Sequence, residues 1–251
     1  MGAGVVKLGE NKMCVTSNNL LRLFALLGAI FFVILGSACS GSSSNSDNDV
    51  TSLRVVHVSP DAPDLDTLVD DLLILNDLSY SEASSYLAVN SGNRGIKVNL
   101  AATDTSIINT DATFSSGQHI TLYVTGRLSE NNIEQVTLFD RTDIPAPGQS
   151  LIRVLHAAPS APAVDIYVGA PGDSLSEMDP LVGQLPYRAF TGYEGVFAGA
   201  KQIRVTIAGT LDVVIDSGEI TLDDGQIVTV VARDGSVGAP FELLILDDLE
   251  G

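Results

Sequence analysis

Two histidines and two aspartates recur in matching surroundings. His57 and Asp66 close the run Leu53-Arg54-Val55-Val56-His57-Val58-Ser59-Pro60-Asp61-Ala62-Pro63-Asp64-Leu65-Asp66. His156 and Asp165 close Ile152-Arg153-Val154-Leu155-His156-Ala157-Ala158-Pro159-Ser160-Ala161-Pro162-Ala163-Val164-Asp165. Both runs fit R-V-x-H-x-x-P-x-A-P-x-x-D. An imidazole with a carboxylate in reach can act as a general base, and the same two groups can share a metal ion. One reading is therefore a hydrolase that uses His57 or His156 with Asp66 or Asp165. Strand alternation favours another. His57 shares a face with Leu53 and Val55, and His156 with Ile152 and Val154, which turns both rings toward a core. There a histidine satisfies a backbone carbonyl. Arg54 and Arg153 point the opposite way, placed to pair with the aspartates. Pro60, Pro63, Pro159 and Pro162 fix a bend, and Asp66 and Asp165 are expected to accept backbone N–H groups across it.

The first copy adds carboxylates that the second lacks. Asp61 and Asp64 stand where the second copy has Ser160 and Ala163, and Asp70-Asp71 follow closely. Asp61, Asp64 and Asp66 on one turn are candidate ligands for calcium, which takes six to eight oxygens in flexible geometry. The spacing is not that of an EF-hand loop. Tyr80 and Tyr86 match Tyr187 and Tyr193 in spacing; they are either a stacking platform for sugar rings or core and corner tyrosines. The chain has no Trp, which weakens the carbohydrate reading. His119 has no partner in the second copy and is expected at the surface. Asp223-Asp224-Gly225 reads as a hairpin turn, and Asp247-Asp248-Leu249-Glu250 as a solvated tail. No nucleophile elbow, zincin helix, phosphate loop or dinucleotide fingerprint is present. No resident cofactor is expected beyond the possible Ca2+.

The elements that carry these residues are β-strands. In Ile96-Lys97-Val98-Asn99-Leu100, Ile120-Thr121-Leu122-Tyr123-Val124, Ile203-Arg204-Val205-Thr206-Ile207 and Ile227-Val228-Thr229-Val230-Val231 the apolar residues alternate, between Gly, Asp, Asn and Ser. This is the pattern of an all-β sandwich. The duplication continues through Val89-Asn90-Ser91-Gly92 against Val196-Phe197-Ala198-Gly199, and Gly117-Gln118 against Gly225-Gln226. The second copy is longer by eight residues between its histidine and its first tyrosine, an insertion confined to residues 169–183. We expect two tandem Ig-like β-sandwiches of about seven strands each. The first repeat spans 51–141, a Pro-containing linker 142–150, and the second repeat 151–251.

Ahead of them lies a targeting segment. Residues 23–35 are an unbroken apolar run preceded by Arg22 and followed by Gly36-Ser37-Ala38-Cys39. The run is shorter than the ~20 residues a spanning helix needs. Leu35-Gly36-Ser37-Ala38-Cys39 resembles a bacterial lipobox, which implies a signal peptide over 1–38, starting at Met1 or Met13, and acylation of Cys39 with palmitate-like chains. Residues 39–50 then form a flexible tether, and Ser40 after the cysteine implies the outer membrane. Cys14 and Cys39 are the two cysteines, so no disulfide is expected in the folded part. The formal charge of −18 repels nucleic acid and anionic lipid heads.

The repeated H-x-x-P-x-A-P-x-x-D, followed by Tyr-x-x-V-x-x-Gly, resembles the bacterial family called domain of unknown function 4397. That resemblance implies secreted or surface β-sandwich modules with no assigned activity. Copy one departs from the pattern at Thr67-Leu68-Val69-Asp70-Asp71, where copy two has Ile166-Tyr167-Val168. The expectation is a non-enzymatic, lipid-anchored envelope protein facing the periplasm or the outside. Its partner is expected to be a protein or a surface polymer. A calcium- or glycan-binding surface module is the alternative.

Overall fold

A computed structural model of the protein describes residues 49–235 and 240–249. The signal peptide, Cys39 and nearly all of the tether lie outside the described residues. The chain divides into two units, and the described residues all belong to the second, Asn45–Gly251.

The first repeat is built from β1 (Val50–His57), β2 (Leu65–Val69), β3 (Leu72–Leu78), β4 (Leu87–Asn90), β5 (Gly92–Leu100), β6 (Ser106–Phe114), β7 (His119–Thr125) and β8 (Glu134–Asp140). The second follows with β9 (Gln149–His156), β10 (Val164–Gly169), β11 (Val182–Leu185), β12 (Glu194–Phe197), β13 (Gly199–Ile207), β14 (Val213–Leu222), β15 (Ile227–Asp234) and β16 (Phe241–Asp247). A 3-10 turn at Leu175–Glu177 interrupts the insertion. The described residues thus hold eight strands per repeat, one more than the alternation suggested. β9 starts inside the segment read as a linker.

Each repeat is a sandwich of two four-stranded sheets. The inner sheet of the first has the order β4-β1-β7-β8 and the outer β3-β2-β5-β6; in the second the orders are β12-β9-β15-β16 and β11-β10-β13-β14. β1 runs parallel to β7, and β9 to β15, while the other pairs are antiparallel. The chain changes sheet at Gly92 and Gly199, which follow β4 and β12 with φ of 100° and 111°. A side chain there would force a conformation that only glycine adopts readily.

Alternate residues of the inner sheets fill the two sandwiches. Leu53, Val55, Leu122 and Val124 pack on Leu65, Ile96 and Val98 in the first repeat. Ile152, Val154, Val228 and Val230 pack on Ile166, Ile203 and Val205 in the second. The opposite faces of the two inner sheets meet each other. Val56, Val58, Tyr123 and Leu138 form one buried cluster with Leu155, Ala157, Val231 and Leu246. The result is four stacked sheets, with β1, β7, β9 and β15 covered on both sides. That explains why these strands read as nearly continuous apolar runs. The two repeats are docked through a seam.

Candidate functional site

His57 ends β1 and His156 ends β9, and both rings are fully buried. Nε2 of His57 lies 3.1 Å from the Pro63 carbonyl, and Nδ1 lies 3.3 Å from the Ser59 N–H. His156 repeats this with the Pro162 carbonyl at 3.0 Å and the Ala158 N–H at 3.3 Å. A peptide N–H only donates, so Nδ1 accepts and Nε2 carries the proton. Each imidazole is thereby held in one neutral tautomer with both nitrogens engaged. Burial pushes both rings below the ordinary histidine pKa, against the pull of the carbonyls. Tyr80 stands edge-on to His57 at 5.8 Å and Tyr187 to His156 at 6.0 Å. Pro60 and Pro63, like Pro159 and Pro162, hold the bend that brings the carbonyl over the ring. Among the described residues neither histidine hydrogen-bonds a carboxylate.

The motif aspartates serve the outer sheets. Asp66 accepts the N–H of Asp77 at 2.9 Å and that of Ala102 at 3.2 Å. Asp165 accepts the N–H of Gln184 at 2.6 Å and that of Gly209 at 2.8 Å. All four donor residues have positive φ: 53°, 57°, 55° and 75°. Asp77 and Gln184 sit in β3 and β11, which shift register against β2 and β10. Ala102 and Gly209 sit in the turns after β5 and β13. A left-handed residue turns its N–H out of the ladder, and a carboxylate between two of them collects both donors.

The proposed calcium ligands do not converge. Asp61 accepts the N–H of Leu128 at 2.7 Å and both the N–H and hydroxyl of Ser129, at 3.0 and 2.5 Å. Although slight burial opposes it, these donors hold the Asp61 carboxyl below the usual range. Asp66 faces the pair just described, and Asp64 is exposed. Asp70 and Asp71 form the two-residue tip between β2 and β3, with φ of 50° and 64°, the signature of a type I′ hairpin. Asp70 pairs with Arg94 at 3.0 Å, and Asp71 with Lys97. Among the described residues no group of three or more His, Cys, Asp or Glu is arranged to hold a metal ion.

The arginines of the motif define the second locus, and here the sequence reading needs correction. Arg54 and Arg153 do not pair with Asp66 and Asp165; they cross the seam. Arg54 donates Nε to the Thr121 hydroxyl at 2.9 Å, Nη1 to the Asp247 carbonyl at 2.8 Å, and Nη2 to the Asp248 carboxylate. Arg153 donates Nε to Thr229 at 3.0 Å, Nη1 to the Phe139 carbonyl at 2.9 Å, and Nη2 to Asp140 at 2.5 Å. Each repeat gives its arginine to the other's aspartate. Tyr86 donates to Asp140 at 2.8 Å and Tyr193 to Asp248 at 2.7 Å. Thr121 and Thr229 each donate to the aspartate of their own repeat at 2.6 Å. The Arg54 guanidinium lies 4.7 Å over the Tyr86 ring and that of Arg153 4.5 Å over Tyr193.

Asp248 is therefore no solvated tail; it is fully buried. Burial and the neighbouring Asp140 raise its pKa against the pull of the two arginines. The tyrosines are not an exposed platform, since Tyr86 and Tyr193 are consumed by the seam and burial raises both phenols. His119 is half-buried, edge-on to Tyr86 at 4.9 Å. Sequence reasoning missed Asp140 and Asp248, though a signal existed: Thr121 and Asp140 recur at the same spacing as Thr229 and Asp248.

Fold and site together define a duplicated β-sandwich whose repeated polar residues close on its own backbone or on its twin. The family model described as Domain of unknown function (DUF4397) matches residues 51–167, and so covers both occurrences of the motif. No curated protein matches the chain. Among solved structures, a streptococcal virulence factor that binds α-glucan is 11% identical. It covers 72% of this chain and 93% of its own, with a TM-score of 0.25. A family 26 carbohydrate-binding module of Eubacterium rectale Amy13K, in complex with maltoheptaose, is 9% identical, covering 78% and 96% with the same TM-score of 0.25. The glucan and the maltoheptaose belong to those proteins.

Proposed function

We propose that the chain is a non-catalytic interaction module of the bacterial envelope, tethered to the outer membrane through lipid on Cys39. One observation carries the non-catalytic half. The side chains that recur in the motif and could act as base or ligand are all engaged internally. His57 and His156 have both nitrogens bonded to peptide groups, and Asp66 and Asp165 each hold two left-handed N–H groups. A base needs a lone pair that a substrate can reach, and the one accepting nitrogen of each imidazole is buried and already bonded. The lipobox Leu35–Cys39 supports the anchor, and the acidic surface supports exposure to solvent rather than contact with phosphates.

Metabolic labelling with an alkyne-bearing palmitate tests the anchor. Full-length protein expressed in a Gram-negative host should carry the label and sediment with outer membranes. Cys39→Ala should lose the label and remain in the inner membrane or the soluble fraction. Label that persists in Cys39→Ala would refute the assignment. The non-catalytic reading fails if a hydrolysis or transfer activity co-purifies and is abolished by His57→Gln while the fold remains intact.

A further inference from the structure

The two outer sheets differ in one respect, and that difference points to a ligand. In the second repeat the insertion between β10 and β11 folds back over the outer face. Met178 lies so close that a Cβ on Gly169 would meet its Cε at 2.5 Å, and its sulfur is 3.4 Å from the Arg204 guanidinium. Gly172 anchors the loop by donating its N–H to Gln202 at 3.0 Å. Tyr167, on the same row as Gly169 and opposite Arg204 in the ladder, is 5% exposed. The first repeat has Leu68 opposite Lys97 at this place and has no insertion. Leu68 is half-buried, and Leu73, paired beside it on β3, is 52% exposed. With Asp66, Asn99 and Asp104 they line an open cavity of about 320 Å³.

We propose that this face of the first repeat docks an extended, basic and apolar peptide segment of a partner protein. The inference rests on the interaction-module reading and names the kind of partner. The apolar floor of Leu68 and Leu73 lies beside the place where, in the second repeat, Met178 rests on Gly169 and Arg204, so an apolar side chain from outside can cover it in a similar way. Asp66 and Asp104 at the rim are both negative, and a lysine or arginine beside the apolar residue complements them. A second copy of this chain brings a like charge, since the formal net charge is −18, and a single-sign surface repels its own kind. Among the described residues β3 is an edge strand, bonded to β2 alone, so an extended segment can run alongside it as an added strand.

The test uses the compact unit from Asn45 onward and a fluorescein-labelled peptide of alternating lysine and leucine, read by anisotropy. Peptides alternating glutamate and leucine, or lysine and serine, serve as probes of charge and of the apolar floor. Saturable binding by the lysine–leucine peptide should weaken at least about tenfold, or roughly 1.4 kcal/mol, in Leu73→Lys and in Asp104→Lys. Leu211→Lys, at an exposed position of the second repeat, should bind as the parent does. Leu73 and Asp104 are exposed, so thermal midpoints should be unchanged and loss of fold is not an explanation. Equal binding by all variants, equal binding of the glutamate peptide, or no saturable binding would overturn the proposal. So would a dimer in sedimentation velocity that disappears in Leu73→Lys, which would assign the face to a second copy. Palmitate labelling of Cys39 is read separately, so failure here with labelling intact rejects the docking face and leaves the anchored module standing.

Discussion

The two repeats coincide where they meet and part where they face outward. At the seam Arg54, Thr121, Tyr86 and Asp140 of the first repeat find their counterparts in Arg153, Thr229, Tyr193 and Asp248 of the second, with hydrogen bonds that match within a few tenths of an ångström. On the outer sheets one repeat has a bare apolar floor and the other a roof of its own making. A reciprocal contact in which residue i meets j and j meets i has the form of a two-fold dimer interface. Here it is written into one chain. Covalent linkage also permits asymmetry that a homodimer could not hold. At one end of the seam Arg233 lies 5.2 Å over Tyr80, whose hydroxyl donates to the Asp234 carbonyl. At the other end the cation comes from Arg188, 5.0 Å over Tyr187 and bonded to Thr125 at 3.2 Å. Thr125 and Arg233 are equivalent positions, as are Ser81 and Arg188. The cation over the tyrosine is thus drawn from a different place in the repeat at each end.

The largest expected effect comes from breaking the matched half. Asp248→Ala removes the acceptor of Arg54, Thr229 and Tyr193 and leaves a buried guanidinium without its charge partner. Such a change costs about 3–5 kcal/mol, read as a fall in the urea midpoint. Asp140→Ala should cost a similar amount by the same argument. The two sites are not independent, because Arg153 also lies 3.6 Å from Asp248. The double variant should therefore fall short of the sum of the singles. Additive losses would mean that the seam is two separate pairs rather than one network.

The seam was the least legible part of the molecule, for a physical reason. Alternation along β1 places Arg54 opposite the core face correctly, but its partner lies 194 residues away, and no local pattern names a partner that distant. The nearest motif carboxylates, Asp66 and Asp165, were the natural choice, and they belong to a different sheet. A run of acids near a terminus ordinarily reads as solvated, and Asp248 looked no different from Asp247. What strand periodicity does encode was readable: the inward histidines and the strand-rich repeats. The turn Asp223-Asp224-Gly225 is not the expected hairpin, because the strands it joins, β14 and β15, lie in different sheets. Burial on both faces of β1, β7, β9 and β15 went unread, because alternation by itself implies only one buried face. The roof over the second repeat was visible only as an insertion, because a loop's landing place is set by tertiary contacts.

A smaller loss sharpens the comparison of the two motif aspartates. Asp165 is 6% exposed and Asp66 is half-buried, yet each gathers two left-handed N–H groups. Asp165→Leu, which leaves two donors without an acceptor, should cost about 1–3 kcal/mol. Asp66→Leu should cost less, because water can reach its donors. Equal losses would show that charge rather than burial sets the value of the clamp.

The histidines give a pH test of the same kind. Their folded-state pKa values are lowered by burial, so the folded protein binds fewer protons than the unfolded chain, whose histidines titrate near pH 6.5. Stability is then fully present above about pH 6.5 and falls as the pH drops below it, by at most about 1.4 kcal/mol per pH unit for each ring. His57→Gln and His156→Gln should each remove one ring's share of that slope, whatever they cost at neutral pH. A slope unchanged in both variants would place the acid sensitivity elsewhere, with the carboxylates.

The smallest effect probes the asymmetric ends. Arg188 bonds the Thr125 hydroxyl, the Asn132 carbonyl and Glu134, whose carboxylate is 2.6 Å away and 65% exposed. Water and salt screen such a pair, and exposed ion pairs contribute at most about 1 kcal/mol. Glu134→Gln should therefore cost at most that amount, and the loss should shrink as ionic strength rises through the range where the screening length falls below about 10 Å. Arg233 and its partner Glu242 are 7% and 33% exposed, so Glu242→Gln should retain more of its effect in salt. If both variants respond to salt alike, the two ends are electrostatically equivalent despite taking their cations from different positions, and the duplication has diverged in sequence without diverging in the strength of its docking.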